Sequence, residues 1–482
     1  MTKINNKLFG FVNSFSDSEI KEFKKLVSSP LYTNGRNYLH LVNQIIKHKA
    51  DGYENLSSQE LHTKLFPGKK YSHQTLKNRF SELYKLGEEF LVYKNLNRNV
   101  IEKEKILLQE LLDKKLFNLF EIKYKQTKKT VEKLPDNDEK FKNISFLNEI
   151  NLSLMNKKPH LENMFRQYCD HSTYSVCIFL MEIFTHGIEF CLMEYDNTKI
   201  HSTVIQTILR NLHIEELMKS FSGSDSKINQ ITSMHYYLYK AFENPDSEEN
   251  YFESRKLFLK NHNFFNSGYK DRIYKSMISY CIIRQNSGVK KFQHELFQLY
   301  TEKLDQGLYS EFREIKFPVN TFRDYVYIAI ELKKYEWLED FLKKYSKELP
   351  EMIRENEINL SYAKLFFNKK HYDKALHHLT KVKGENYLHY YDASVHKLCC
   401  YFELQRFEDS ILEIDKFKHY LKNHKEIPVV HRESVASFIR MYQTVLNLKI
   451  KPGKEDAGFL EKEISVIPRM VKRNWLLEKI SA

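Results

Sequence analysis

One phrase occurs three times between Lys333 and Phe417, and it restricts the fold more than any other stretch of the chain. A basic or polar turn leads into an aromatic residue (Tyr335, Tyr372 or Phe407), then an acidic residue, then an amphipathic run. Three positions after each aromatic comes a residue that must pack closely: Leu338, Ala375 and Ser410. The spacings are about 37 and about 35 residues, a period that means stacked helical hairpins, because one hairpin alone leaves an apolar face uncovered. Composition agrees. Gly (13) and Pro (10) make up about 5% of 482 residues, against a usual ~12%, so the residues that build the turns between strands are scarce. An aromatic content of 14% supplies material for a core. The expected fold class is all-α.

Local signals place the first helices. Ser16 and Glu19 form a capping box, flanked by Phe15 and Ile20 as a hydrophobic staple. A second helix follows Asn34-Gly35. Leu56-Ser57-Ser58-Gln59-Glu60-Leu61 opens a short third helix that stops at Phe66-Pro67-Gly68, and Ser72 caps a longer fourth. The short helix, the basic turn and the second helix resemble the helix-turn-helix of winged-helix modules in bacterial activators that carry tetratricopeptide-like repeats. On that resemblance Lys69, Lys70, Lys77, Asn78 and Arg79 are candidate nucleic-acid-binding residues, the cations for phosphates or guanine edges and the amide for adenine. The sequence departs from the pattern after the second helix. The stretch from Gly87 to Leu112 continues as helix where the module has a β-hairpin.

Further along, the polar Thr127–Lys140 is the best candidate for an exposed loop. Cys169, His171 and Cys177 have metal-ligating types at a spacing that fits no common zinc site, so no metal is expected. The apolar window Val176–Tyr195 is interrupted by Glu182, His186 and Glu189, and is read as a buried helix, without membrane insertion. Hairpins begin near residues 230, 269, 319, 356 and 388, at unequal intervals.

Residues 319–421 resemble tetratricopeptide repeats. Tyr362-Ala363 and Phe366 match the large-small pair and the aromatic of a first helix, and Ala375, Leu379 and Val382 match the packing positions of a second. Leu338 and Pro350 take equivalent places in the preceding copy, and Tyr401, Ser410, Ile414 and Phe417 in the following one. Leu338 is bulky where the family has a small residue, and the outer copies lack the large-small pair. The resemblance implies an α-solenoid of tetratricopeptide-like hairpins with a concave wall built from first helices. Arg323, Tyr327, Lys364, Phe367, Cys399 and Phe402 would face that wall and bind a protein or peptide partner, with cations beside aromatics suiting an acidic segment. In the terminal segment, Arg469, Lys472 and Arg473 are expected on the open side, with Val471 and Trp475 against the stack.

The net charge is +13, and residues 1–100 carry sixteen Lys and Arg against nine Asp and Glu, about half of the excess. Six cysteines without CxxC spacing suit a reducing, cytoplasmic setting. There is no Gly-rich phosphate loop and no GxSxG, and His294-Glu295-Leu296-Phe297-Gln298 lacks the second histidine of a zincin. The expected organisation is a basic N-terminal helical domain (1–100), a degenerate hairpin array (101–315) and tetratricopeptide-like repeats with a capping helix (316–482). The expected function is a non-enzymatic scaffold, without cofactor, binding a protein or peptide. The alternative is a transcription regulator that contacts DNA through its N-terminal segment. The sequence does not specify the oligomeric state.

Overall fold

The computed structural model describes residues 7–481 apart from 34, 50–51, 54–55, 156–160, 197, 199–203, 222–223, 311–316, 385, 451–456 and 469. Among the described residues every regular element is helical. The chain divides into two compact units, Met1–Phe179 and Leu180–Ala482.

The first unit holds α1 (Lys7–Ser14), α2 (Asp17–Val27), α3 (Pro30–Thr33), α4 (Leu39–Lys47), α5 (Ser58–Leu65), α6 (His73–Arg98), α7 (Val100–Asp113), α8 (Phe117–Glu132) and α9 (Asp138–Met155). It also holds the start of α10 (Leu161–Tyr195). Ser16 caps α2 in a complete capping box with Glu19, while Ser57 and Ser72 cap α5 and α6. Each cap supplies an acceptor to a backbone N–H that has no partner inside the helix. α1, α2 and α5 pack on α6, α4 packs on α1, α2 and α5, and Phe15 meets Phe23 and Phe90 edge-on. A second cluster joins α7, α8 and α9. The loop expected over Thr127–Lys140 shrinks to residues 133–137, because α8 runs on to Glu132 and α9 begins at Asp138. Thr127 and Val131 are buried, and the Asp136 carboxylate pairs with Lys140 Nζ at 2.7 Å. Most of the polar side chains there, including Lys128, Lys129, Thr130, Glu132, Lys133 and Glu139, are exposed as expected, but they sit largely on the solvent faces of α8 and α9 and not on a long loop.

In the second unit, consecutive helices pair and neighbouring pairs stack. The pairs are α13 (Lys227–Glu243) with α14 (Glu248–Asn261), α15 (Ser267–Asn286) with α16 (Lys291–Asp305) and α17 (Val319–Glu331) with α18 (Tyr335–Tyr345). They continue as α19 (Glu351–Asn368) with α20 (Tyr372–Leu379) and α21 (Tyr387–Glu403) with α22 (Phe407–Asn423). Before them come the short α11 (Val204–Asn211) and α12 (Ile214–Lys219); after them come α23 (Val429–Ile450), α24 (Ala457–Val466) and α25 (Arg473–Ser481). First helices of adjacent pairs also touch: α13 with α15, α17 with α19, α19 with α21.

The repeated phrase is a repeated turn. Lys333, Lys370 and Gln405 adopt left-handed backbone with φ of 56°, 61° and 57°. Each turn closes with the same bond at 2.8 Å, from Lys334 N–H to Ala329 O, His371 N–H to Phe366 O, and Arg406 N–H to Tyr401 O. This is a Schellman motif, which satisfies the last carbonyls of the first helix and reverses the chain. Tyr335, Tyr372 and Phe407 are then the first residues of α18, α20 and α22. The same turn occurs at Lys115 (φ 59°) before Phe117, a copy the period alone did not reveal. Leu338, Ala375 and Ser410 are all fully buried, as the phrase requires.

Ala363 and Ala375 are both inaccessible where α19 packs on α20. Ala375→Leu is therefore expected to cost about 1–3 kcal/mol through overpacking. The check is a lower urea midpoint followed by tryptophan fluorescence, since Trp337 and Trp475 both lie in this unit.

α10 is long and apolar enough to cross a membrane by length and composition. Its second-unit portion buries Leu180, Phe184 and Ile188, with Phe184 against Tyr236 and Tyr239 of α13. A Cβ on Gly187 would sit 2.7 Å from the Tyr239 ring, so glycine permits that approach.

Candidate functional site

The second unit places charged and aromatic residues along α17, α19 and α21, the first helices of three stacked pairs. Glu357 of α19 is 2% exposed, and it receives Arg323 of α17 through Nε at 2.9 Å and through Nη2. It also accepts from His389 Nε2 of α21 at 2.6 Å. His389 Nδ1 faces Asn356 Nδ2 at 3.3 Å, and Asn356 in turn holds both backbone polar groups of Lys383. One buried carboxylate thus joins three pairs. Burial opposes its ionisation, but the hydrogen bonds from His389 and Arg323 prevail and hold it below the ordinary glutamate value.

Two turns further along α19, Lys364 Nζ reaches Asp392 Oδ2 of α21 at 2.8 Å. His396, on the next turn of α21, sends Nδ1 to the Asp392 backbone carbonyl at 2.7 Å. A carbonyl only accepts, so Nδ1 carries the proton and Nε2 keeps a lone pair. Burial, reinforced by Lys472 and Lys364, lowers the His396 pKa and favours the neutral ring.

Three cavities open on this surface, of about 630, 420 and 260 Å³, and Lys472 lines all of them. Lys472 belongs to the short connection before α25 and has a left-handed backbone, φ 54°. Its ammonium lies 5.0 Å from the Phe367 ring centre. Trp475 anchors the connection by packing on Phe402 and Tyr442 and by donating Nε1–H to Glu403 at 2.8 Å.

The residues expected at a binding wall fall into two sets. Arg323, Tyr327 and Lys364 line the 260 Å³ cavity together, and Tyr327 is 58% exposed at its edge. Phe367 lines the 630 Å³ cavity. Phe402 and Cys399 are buried in the core cluster and line none of these cavities. Arg469 lies outside the described residues. Lys472 turns toward the cavities, not toward an open outer side, while Trp475 is buried against the stack as expected. Glu357, Asp392, His396 and Lys472 were not singled out for the binding wall by sequence. The Asp392–His396 spacing, one helical turn, is the one local signal they carry.

In the first unit, Lys69, Lys70, Lys77 and Asn78 are exposed around the turn between α5 and α6. His62 Nε2 holds that turn by accepting the Ser72 N–H at 3.3 Å. Arg79 is engaged within the fold. It contacts Glu82 at 3.2 Å and lies over the Tyr38 and Phe66 rings at 5.5 and 5.7 Å. α6 is one continuous helix of 26 residues.

Among the described residues no group of three or more His, Cys, Asp or Glu is placed to hold a metal ion. Comparison with protein-family models, curated proteins and solved structures finds no match to this chain.

Proposed function

We propose that the chain is a tetratricopeptide-like α-solenoid that works as a non-enzymatic scaffold, gripping a protein or peptide segment along the wall formed by α17, α19 and α21. The supporting observation is the character of that wall. Its cations are largely neutralised within the fold, Arg323 by Glu357 and Lys364 by Asp392, and the exposed Tyr327 lines the same cavity. A mixed, aromatic surface suits a peptide, whereas a phosphate backbone is met by a stripe of uncompensated cations.

The reading is tested by affinity capture with the full chain and with the double variant Tyr327→Ala/Lys364→Glu. A defined protein should be retained by the first and released by the second. Turnover of a metabolite with no protein partner would remove the reading. The DNA-binding alternative draws on exposed Lys69, Lys70 and Lys77. It predicts duplex binding that weakens steeply with salt and disappears when these three are replaced by glutamate.

A further inference from the structure

One side chain, Lys472, lines all three cavities, and among the described residues it has no ionic partner. Arg323 and Lys364 are each held by a carboxylate, but among the described residues no carboxylate lies within ion-pair distance of Lys472. Beside it, His396 is 6% exposed and lines the 420 and 260 Å³ cavities. Its Nδ1–H is used, and its Nε2 lone pair has no donor among the described residues. Nε2 is not among the fully shielded polar atoms without a partner, so solvent reaches it and a donor from an occupant can take that water's place. The pair can therefore receive a group that offers an anion to Lys472 and a donor to His396.

The cavities also indicate the occupant's shape. The 630 Å³ cavity lies toward the C-terminal ends of α19 and α21, reaching Tyr372 and Glu403. The 420 Å³ cavity lies toward the N-terminal halves of α21 and α23, reaching Leu388 and Val435. Lys472 lines both, so an occupant that reaches from one to the other passes the cation. That suits an extended segment passing through, with its carboxylate on a side chain, over a chain end that stops there.

We infer that Lys472 and His396 form the specificity site for an internal Asp or Glu of an extended peptide, the carboxylate meeting Lys472 Nζ and a neighbouring backbone N–H meeting His396 Nε2. This rests on the peptide-binding reading above and names its ligand. Because the ammonium arrives on the connection before α25, ligand binding also holds that connection against α19. Lys472 has left-handed backbone, a conformation that non-glycine residues adopt at a cost.

The probe is an array of ten-residue peptides with amidated C-termini, each carrying one Asp or Glu in a background of Ala, Ser and Leu. Affinity for the full chain is measured by fluorescence anisotropy. Two variants are compared: Lys472→Gly, which suits the left-handed backbone, and Lys472→Met, which keeps the methylene stem over Phe367. Both should retain the native thermal transition and lose roughly tenfold or more in affinity, the scale of one charge-assisted bond. Changing the peptide's Asp to Asn, or Glu to Gln, should cost the native chain the same factor and the variants nothing. Equal binding by native chain and variants would overturn the site while leaving peptide binding intact, and so would binding that requires a free terminal carboxylate. If no peptide binds the native chain, both the site and the peptide reading fail.

Discussion

Replacing Glu357 with alanine is expected to destabilise the second unit by about 3–5 kcal/mol, the range for removing one partner from a buried ionic cluster. The loss of attraction is the smaller part. Arg323 is two-thirds buried and His389 nearly wholly so, and both would keep their desolvation without the carboxylate that offsets it. The effect spans three helices, because Glu357 on α19 ties α17 to α21. Urea denaturation followed by tryptophan fluorescence measures it. Glu357→Gln should cost less, since an amide oxygen still accepts from one of the two donors.

The same residue carries a pH dependence. Its folded pKa is depressed, so the unfolded chain binds more protons in the acidic range and stability rises with pH there. The contribution is complete above the ordinary glutamate value of 4.5 and is lost as pH falls through the lower folded value. Between those limits the urea midpoint of the native chain should drop, and that of Glu357→Gln should drop less. Identical slopes would show that the depression is not in Glu357.

Arg255→Ala is expected to have an effect of similar size, about 3–5 kcal/mol, for the opposite reason of charge. Arg255 of α14 is 5% exposed and bridges two carboxylates of α16, Glu295 at 3.3 Å and Glu302. Tyr251 donates to Glu295 at 2.8 Å and Tyr274 to Glu302 at 3.0 Å, so the cluster extends into α15. Removing the guanidinium leaves two acids facing each other in a half-buried site. Desolvation already works against Glu302, and hydrogen bonding by Arg255 is the main influence keeping its pKa low. The variant should therefore regain stability on mild acidification, as a proton replaces the missing cation. Arg255→Met combined with Glu295→Leu and Glu302→Leu should recover much of the loss, because a well-packed apolar replacement avoids the burial of charge. A triple variant as unstable as Arg255→Ala would mean the packing around the cluster, not its charge, sets the cost.

How much was legible in the chain differs by the range of the interaction. The caps at Ser16, Ser57 and Ser72 act within one helical turn, and their residue types announce them. The turns at Lys333, Lys370 and Gln405 close within six residues, so the polar-aromatic-acidic phrase located them. The Lys115 turn escaped because its copy of the phrase is incomplete: apolar Leu116 precedes Phe117, and Asn118 stands where the other copies have an acidic residue. Thr127–Lys140 misled in the other direction, because the solvent faces of two helix ends have the same polar composition as an exposed loop. Arg79 reads as an outward cation on α6, yet Tyr38 from a distant element turns it to an internal role.

The sequence by itself determined that this protein is helical, where many of its helices start, where its reversals fall, and which small positions the pairs must bury. All of these depend on neighbours a few residues away. Tertiary structure alone decided the site. Arg323 meets Glu357, Lys364 meets Asp392, and Lys472 reaches Phe367 only because stacked pairs bring separate turns of the chain to one surface. Which cations are neutralised there, and that Lys472 has no carboxylate within ion-pair distance among the described residues, follow from that arrangement in space. No local pattern encodes it, because charge pairing across helices depends on distance in space and not on order along the chain.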